Sequence, residues 1–341
     1  MEPLQLLWFC ILGVLLAGYG ILDGFDLGVG ILHLFARKDE ERRIFLNAIG
    51  PIWDGNEVWL VVFGGALFAA FPQAYAAAFS GLYVPFMLIL VALIFRAVSI
   101  EVRSKQPMQG WRDTWDVAFC VASVLAAFLF GVAVGNSIAG LPLGPEGDFI
   151  DAVPLWYLLR PYPALVGLFA VATFAMHGSI YLYLKTEGDL QQRVHRWIWL
   201  TFALFLVLYL VVTVSTLSSF PRSTAKYWEH PWALIVVALN ILAIANIPRA
   251  IYQGRPFYAF ISSSCTIAAF TFLFGLTLYP NMIVSTENEA YNLTVAHAAS
   301  SDKTLTIMTI IAVLGMPFVL SYTITINWLF RGKVRLDKFS Y

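Results

Sequence analysis

Nine apolar stretches dominate the chain, and each is long enough to cross a lipid bilayer as a helix. A helical span needs about 20 mostly apolar residues, because backbone polar groups find no partner in lipid and must bond within the segment. The sequence therefore predicts an all-α integral membrane protein, with residues 1–341 forming a single membrane domain. The nine predicted transmembrane helices cover approximately residues 8–35, 51–71, 76–100, 114–140, 162–184, 197–219, 231–252, 258–280 and 304–330.

Composition agrees with a membrane protein and argues against nucleic-acid or metal binding. Hydrophobic residues make up 60% of the chain and charged residues 12%, whereas soluble domains carry about 25% charged residues. The 21 Lys and Arg residues balance the 21 Asp and Glu residues, so no basic surface for nucleic acid is expected. Cys10, Cys120 and Cys265 lie inside apolar stretches without a CxxC pair, which is typical of packed cysteines rather than of disulfides or thiolate metal sites.

The distribution of positive charge predicts how the chain is oriented. Sixteen Lys and Arg residues follow helices 1, 3, 5, 7 and 9, four fall in the connections on the other side, and Arg96 lies inside the third stretch. Because cytoplasmic loops carry the excess of Lys and Arg, the N-terminus is predicted to lie outside and the C-terminus in the cytoplasm. No Lys or Arg precedes Arg37, so the first stretch is expected to stay in the membrane rather than act as a signal peptide.

Four carboxylates lie within the first two predicted helices. Asp23 and Asp26 occur in LDGFDLGVG, and Asp54 and Glu57 occur in WDGNEVWL. The members of each pair are three residues apart and therefore share a helix face. Counted from the basic segment 37–43, Asp26 and Asp54 are each 11 residues away, and Asp23 and Glu57 are each 14 residues away. The two pairs are therefore predicted to lie at similar depth in an antiparallel hairpin.

These carboxylates are candidate proton carriers. An ionised carboxylate inside a membrane helix costs about 2.5–3.5 kcal/mol on insertion scales, so its presence suggests a function. Crowded carboxyl groups in a low-dielectric interior hold and exchange protons near neutral pH. The sequence thus predicts a short ladder of proton-carrying groups that reaches inward from the cytoplasm.

Structural roles remain open for the same residues. If Gly50-Pro51 breaks the chain, Asp54 and Glu57 lie in the first turn of a helix, where acidic residues stabilise the N-terminus. Asp23 and Asp26 could form a buried, hydrogen-bonded pair that closes a helix contact.

A third charged group, in FRAVSIEVRSK, contains Arg96 and Glu101. Arg96 either neutralises a carboxylate of the first two helices or extends to the cytoplasmic interface. Glu101 is placed to receive protons at the surface.

The histidines do not predict a cofactor site in this chain. Among five histidines only His177 lies well inside a predicted helix, whereas a haem held within a bundle needs axial ligands that face each other. No GxGxxG motif follows a strand, so nucleotide binding has no support. The chain by itself is therefore expected to bind neither haem nor metal.

Several motifs resemble subunit II of the cytochrome bd quinol oxidases. The likeness is carried by GILDGFDLGVG, by WDGNEVWLVVFGGALFAAFPQAYAAAFSGLY, by FRAVSIEVRSK and by GVAVGNSIAG, and it covers essentially the whole chain. The resemblance implies nine helices beside a subunit I that holds haems b and d, in a complex that oxidises quinol and reduces oxygen to water. It also implies the cytoplasmic membrane of a bacterium or archaeon, with a structural quinone or lipid and a small accessory transmembrane subunit as further expectations.

The resemblance also suggests roles for individual residues. Asp54 matches an acidic residue that lines a cytoplasmic proton path, and Asp23, Asp26 and Glu101 match carboxylates of the same path. Trp59 matches a tryptophan near an oxygen entry between the subunits, although its residue type and position are equally typical of packing.

A secondary transporter or proton channel is the competing interpretation, because it would use the same buried carboxylates. Transporters usually show an internal repeat and paired broken helices at the midplane. Here only Gly50-Pro51 suggests a break, and the two halves share no evident motif.

The charge bias predicts the topology directly. A reporter fused after Tyr341 should read as cytoplasmic, and one inserted within 286–302 should read as external, because Lys and Arg are retained on the cytoplasmic side. Alkaline phosphatase and fluorescent-protein fusions measure the two locations, and the reverse pattern would contradict the predicted orientation.

Overall fold

The computed structural model describes residues 2–145, 147–150 and 153–336 of the 341-residue chain. Lys338, which enters the charge count, and Tyr341, which carries the proposed reporter, lie outside the described residues.

The described residues form an almost entirely helical protein. Eight helices are long and apolar enough to cross a membrane, and a bent helix pair would make a ninth span. A small antiparallel sheet of two short strands precedes the last long helix. The helices are α1 Pro3–Leu32, α2 Asp39–Ile49, α3 Trp53–Ala70, α4 Pro72–Gly81, α5 Tyr83–Val102, α6 Gln109–Ala139, α7 Leu155–Leu158, α8 Pro161–Lys185, α9 Gly188–Ser219, α10 Pro221–Glu229, α11 Ala233–Tyr252, α12 Pro256–Leu278, α13 Val295–Ala298 and α14 Asp302–Leu329, and the strands are β1 Asn281–Ile283 and β2 Leu293–Thr294.

The predicted spans agree with the structure to within about five residues, except in the segment 51–100 and at the start of the predicted helix 197–219, which begins at Gly188. The predicted helix 76–100 was wrong at its start, because residues 76–81 belong to α4 and a new helix begins at Tyr83. Helices α3 and α4 meet at Phe71 with a bend of 118°. Pro72 occupies the first turn of α4, where proline is tolerated but cannot continue the preceding helix. The described residues reach nine candidate spans only when this bent pair is counted as one span.

A separate helix precedes α3. Residues Asp39–Ile49 form α2, whose first turn contains three acidic residues, and Asp54 then lies in the first turn of α3. The break at Gly50-Pro51, which the sequence left open, is therefore present. The two helices that carry the four carboxylates are therefore not joined as one uninterrupted hairpin. Equal residue counts from the basic segment do not by themselves place these carboxylates at equal depth.

The centre of the protein is the contact between α1 and α8, which depends on two glycines. A Cβ atom added to Gly28 would lie 2.0 Å from the carbonyl oxygen of Phe174, and one added to Gly178 would lie 2.4 Å from the carbonyl carbon of Gly28. Glycine therefore lets the two backbones touch, as is typical of small residues at helix contacts in membranes. This contact holds α1 in the middle of the bundle, where its carboxylates are enclosed.

A buried ionic network joins the ends of α1, α2, α5 and α6. Asp116 is 1% exposed and accepts hydrogen bonds from Arg103 at 2.7 and 3.0 Å and from Arg42 at 2.9 Å. His33 Nε2 lies 2.5 Å from the same carboxylate. Since every charge here has a partner of opposite sign, this network locks helix ends together.

Helix α2 is attached to α9 through Glu41. The Glu41 carboxylate accepts hydrogen bonds from Arg193 and from the backbone N–H groups of Arg37 and Lys38. Burial disfavours the ionised form, but these hydrogen bonds outweigh it and hold the pKa of Glu41 below its ordinary value.

The contact between Gly28 and Gly178 can be tested with a single methyl group. Gly28→Ala should lower the thermal unfolding midpoint of the purified complex, because the added Cβ forces α1 away from α8; overpacking of this kind costs about 1–3 kcal/mol. Gly13→Ala is the matched control, since a Cβ at Gly13 in the same helix meets nothing within 4 Å. Equal midpoints for the two variants would contradict the close contact.

Candidate functional site

The candidate site lies where α1, α3 and α5 meet inside the bundle. Asp23 and Asp26 of α1 and Arg96 of α5 are all 0% exposed. Glu57 of α3 is less enclosed, with 23% of its side chain exposed. Three carboxyl groups and one guanidinium thus share a small volume within helices that are otherwise apolar.

Arg96 connects the three helices. Its Nη2 atom donates to Asp23 Oδ1 at 2.6 Å and also to Glu57 Oε1. The guanidinium is fully buried and does not extend to the surface of the helix bundle. Asp23 and Glu57, which the sequence places at equal distance from the basic segment, therefore meet at one cation.

Asp26 is held by a residue that the charge pattern did not identify. Asn56 Nδ2 donates to Asp26 Oδ2 at 2.8 Å and to the Leu22 carbonyl oxygen at 3.2 Å. Asn56 is 3% exposed, because it lies on the side of α3 that faces α1. The sequence did offer a hint of this role, because Asn56 lies between Asp54 and Glu57 in an apolar helical segment. A buried amide near a carboxylate can donate a hydrogen bond to it.

Asp54 and Glu101 are not part of this cluster. Asp54 is exposed in the first turn of α3, one turn from Glu57. Glu101 lies at the end of α5, five residues after Arg96, and is half-buried. At 1.5 Å per residue it is about 7 Å further along the helix. Asp54 therefore lies between the buried cluster and the start of α3, and Glu101 lies between the cluster and the end of α5. The end of α5 adjoins the ionic network of Asp116 through Arg103.

Tyr19 is a second residue that the sequence pattern did not single out. It is 3% exposed and lies one turn before Asp23 on the same face of α1, so that residues 19, 23 and 26 form one row. Its hydroxyl group is buried within the electrostatic reach of Asp23. The row ends near the middle of α1, deeper in the membrane than the two carboxylates.

Trp59 lies in the packing contact between α1 and α3. It is 8% exposed and clusters with Leu15 and Tyr19. A Cβ atom at Gly18 would lie 2.3 Å from Trp59 Cε3. The indole ring therefore fills the space that Gly18 leaves open.

The cluster has more polar atoms than internal partners. Among the residues that the structure describes, Asp23 Oδ2, Asp26 Oδ1 and the Nε and Nη1 atoms of Arg96 have no hydrogen-bond partner. With three carboxyl groups and one guanidinium, full ionisation would leave uncompensated negative charge inside the membrane, which is unfavourable. The cluster is therefore chemically suited to hold at least one proton.

The histidine inside a membrane helix, His177, does not fit an axial haem ligand. His177 Nε2 lies 3.0 Å from the Ile21 carbonyl oxygen, and Nδ1 lies 2.7 Å from Ser263 Oγ. Both ring nitrogens are thus engaged within the protein. Within residues 2–145, 147–150 and 153–336, no group of three or more His, Cys, Asp or Glu side chains is arranged to hold a metal ion.

Comparison with known proteins decides the family. The model of the family described as cytochrome bd terminal oxidase subunit II matches residues 4–330. The chain belongs to this family. It is 34% identical to cytochrome bd-I ubiquinol oxidase subunit 2 of Escherichia coli K12, over 98% of this chain and 96% of that protein. It is 33% identical to cytochrome bd ubiquinol oxidase subunit 2 of Bacillus subtilis 168, over 98% of each chain.

A solved structure shares the fold. The bd oxidase from Geobacillus thermodenitrificans superposes with a TM-score of 0.79 at 17% identity, covering 96% of this chain and 99% of the matched one. As a cytochrome bd subunit II, the chain is a multi-pass membrane subunit of an oxidoreductase complex, a quinol oxidase. Membership of the family also implies a partner, subunit I.

The ion pairs of Arg96 predict a large loss of stability when the cation is removed. Arg96→Met leaves Asp23 and Glu57 buried without their cation, and breaking a buried pair in this way costs about 3–5 kcal/mol. The thermal unfolding midpoint and the yield of the purified complex should both fall. Adding Asp23→Asn to Arg96→Met should recover part of the loss, because it removes one of the two stranded charges.

Arg255→Met serves as the control, since Arg255 is exposed at the start of α12. An unchanged midpoint for Arg96→Met, or a further fall on adding Asp23→Asn, would contradict the structural role of the pair.

Proposed function

We propose that this chain supplies a cytoplasmic proton path, and a scaffold, to the haem-bearing subunit I of a cytochrome bd oxidase. The complex oxidises quinol and reduces oxygen to water, and oxygen reduction consumes protons. The observation that carries the proposal is the buried cluster of Asp23, Asp26, Glu57 and Arg96, which has more carboxyl groups than cations. Haems b and d belong to subunit I in this proposal, and this chain provides no ligand to them.

The proposed path begins at the cytoplasmic end of α3. Asp54 accepts protons there, with Glu101 as a further acceptor at the end of α5. Asp26 is the next proton carrier, and the Asn56 amide positions it through a hydrogen bond of 2.8 Å. Asp23 and Glu57 follow at the Arg96 guanidinium, and the Tyr19 hydroxyl group continues the row toward the middle of α1.

Internal water would connect these groups. The unpartnered oxygens of Asp23 and Asp26 and the unpartnered nitrogens of Arg96 are of the kind that buried water satisfies in native proteins. A water bridge between a protonated carboxyl and an ionised one provides a mobile link for a proton. Arg96 keeps the net charge of the cluster low while one proton moves.

The exposed face of α3 is where we expect subunit I to lie. Asp54 shares this face with exposed apolar residues one, two and more turns further on: Val58, Val61, Val62 and Phe68. Lipid would be a poor neighbour for a carboxylate, whereas a partner subunit can provide polar contacts for it. A proton accepted at Asp54 would then enter along the boundary between the subunits.

The remaining expectations belong to the same proposal. The N-terminus faces outward in a bacterial inner membrane, and quinol, a structural quinone or lipid, and a small accessory transmembrane subunit complete the complex. An oxygen entry beside Trp59 stays a prediction, and the contacts of its ring support packing. A secondary transporter or proton channel is disfavoured, because the chain belongs to an oxidase family over nearly its whole length.

Turnover per haem tests the proton path. In the assembled complex, Asp26→Asn and Asp54→Asn each remove a titratable group while keeping the side-chain volume, so haem content should stay normal. Quinol-driven oxygen uptake per haem should fall, with roughly 10²–10⁴-fold as the upper range for a positioned proton-transfer group and less if water bypasses it.

Asp189→Asn is the matched control, because Asp189 is also an exposed acidic residue in the first turn of a long helix, α9. It should lose only the stabilisation of a helix N-terminus, about 0.3–1 kcal/mol, without a change in turnover. If Asp26→Asn and Asp54→Asn lower the yield of complex yet leave turnover per haem unchanged, these residues are structural and the proposed path is wrong.

A further inference from the structure

A groove opens at the end of the bundle where the chain leaves α1 and where α9 begins. It encloses about 530 Å³. One wall comes from the turn that follows α1, and the other comes from the second, third and fourth turns of α9. Its polar lining consists of Arg37, Arg193 and Arg196, and its apolar lining consists of Leu34, Phe35, Trp197 and Leu200.

The two kinds of lining are separated along the helix axis. Arg193, Trp197 and Leu200 are separated by four and three residues on α9, and Arg196 lies four residues before Leu200, so the four share one side of the helix. The arginines lie nearer the start of the helix, and Leu200 lies nearer its middle. Beyond Leu200 the outer surface of α9 continues with exposed apolar side chains: Leu204, Val207 and Val211. Across the groove, the Phe35 ring lies 5.8 Å from that of Trp197.

The groove carries an excess of positive charge. Glu41 pairs with Arg193 and also accepts hydrogen bonds from the backbone N–H groups of Arg37 and Lys38. Arg37 and Arg196 are exposed and form no salt bridge within the part of the chain that the structure describes. Three guanidinium groups thus face one carboxylate, and two of the three remain available to an anion.

We propose that this groove binds an anionic phospholipid of the cytoplasmic leaflet. The phosphate would lie between Arg37 and Arg196, since guanidinium groups hold phosphate oxygens through paired, charge-assisted hydrogen bonds. An acyl chain would run past Trp197 and Leu200 along the apolar face of α9. The apolar wall favours a lipid over a free phosphate ion, and a basic pocket between membrane helices is the expected site for an anionic head group.

This lipid site does not depend on the proposed proton path. The groove adjoins the contact between Glu41 and Arg193, so a bound lipid would brace α2 and α9 at the membrane surface. The carboxylates of α1 and α3 take no part in it.

Lipid binding to the intact complex tests the proposal. Delipidated complex is titrated with phosphatidylglycerol or phosphatidylcholine in detergent, and bound lipid is counted by native mass spectrometry. The wild-type complex should retain phosphatidylglycerol in preference to phosphatidylcholine. Arg37→Gln combined with Arg196→Gln should weaken phosphatidylglycerol binding roughly 30-fold, on the scale of two cations at an anionic membrane surface.

The matched control is Lys105→Gln combined with Arg255→Gln. It removes two exposed positive charges that the same charge bias assigns to the cytoplasmic side, but away from the groove. This control should bind phosphatidylglycerol as the wild type does. Turnover and haem content should be unchanged in both double variants, because neither touches the carboxylate cluster.

Any one of four results would overturn the proposal. One is equal phosphatidylglycerol binding in the groove variant and the wild type, and another is an equal loss in the groove and control variants. The third is displacement of the bound lipid by millimolar inorganic phosphate, which would identify a simple anion site. The last is a wild-type complex that binds phosphatidylglycerol and phosphatidylcholine equally well, because the groove would then not select an anionic head group.

Discussion

Lipid offers no hydrogen-bond partner, so a charge inside the membrane must find its counter-charge within the protein. Arg96 meets this constraint by contacting Asp23 of α1 and Glu57 of α3. The contact fixes the relative rotation of three helices, because each must present a specific residue at one point. The close approach of α1 and α8 at Gly28 and Gly178 then holds α1 where both of its carboxylates are buried.

Two buried ionic groups occur at different depths, and their charge balance differs. Asp116 is contacted by Arg42, Arg103 and His33, and the two arginines also pair with Asp113 and Asp39, so the charges of this network are matched and it serves to join helix ends. The deeper cluster has an excess of acidic groups, with three carboxyl groups around Arg96. Two guanidinium groups beside Asp116 keep it ionised, whereas three carboxyl groups beside one guanidinium leave at least one of them able to carry a proton. This difference is why the deeper cluster, rather than the network of Asp116, is the candidate for proton transfer.

The sequence predicted the membrane spans well because hydropathy reports directly on the cost of burying polar groups in lipid. It failed at Phe71-Pro72, where an apolar segment continues through a bend of 118° that hydropathy does not register. Equal spacing from the basic segment brought Asp23 and Glu57 together correctly, but Asp26 pairs with Asn56 while Asp54 stays exposed. Asn56, Tyr19 and Asp116 escaped prediction because their importance depends on which face of a helix is covered, and that is decided by tertiary packing.

The central claim is that the cluster around Arg96 holds a proton that exchanges with the cytoplasm during turnover. Infrared difference spectroscopy of the complex between its oxidised and reduced states tests this directly through the C=O stretch of protonated carboxyl groups. The account predicts a band that shifts in D₂O and is lost in Asp26→Asn or Asp23→Asn but retained in Asp189→Asn. A carboxyl band that is the same in all three variants as in the unmodified complex would contradict a proton-carrying role for this cluster.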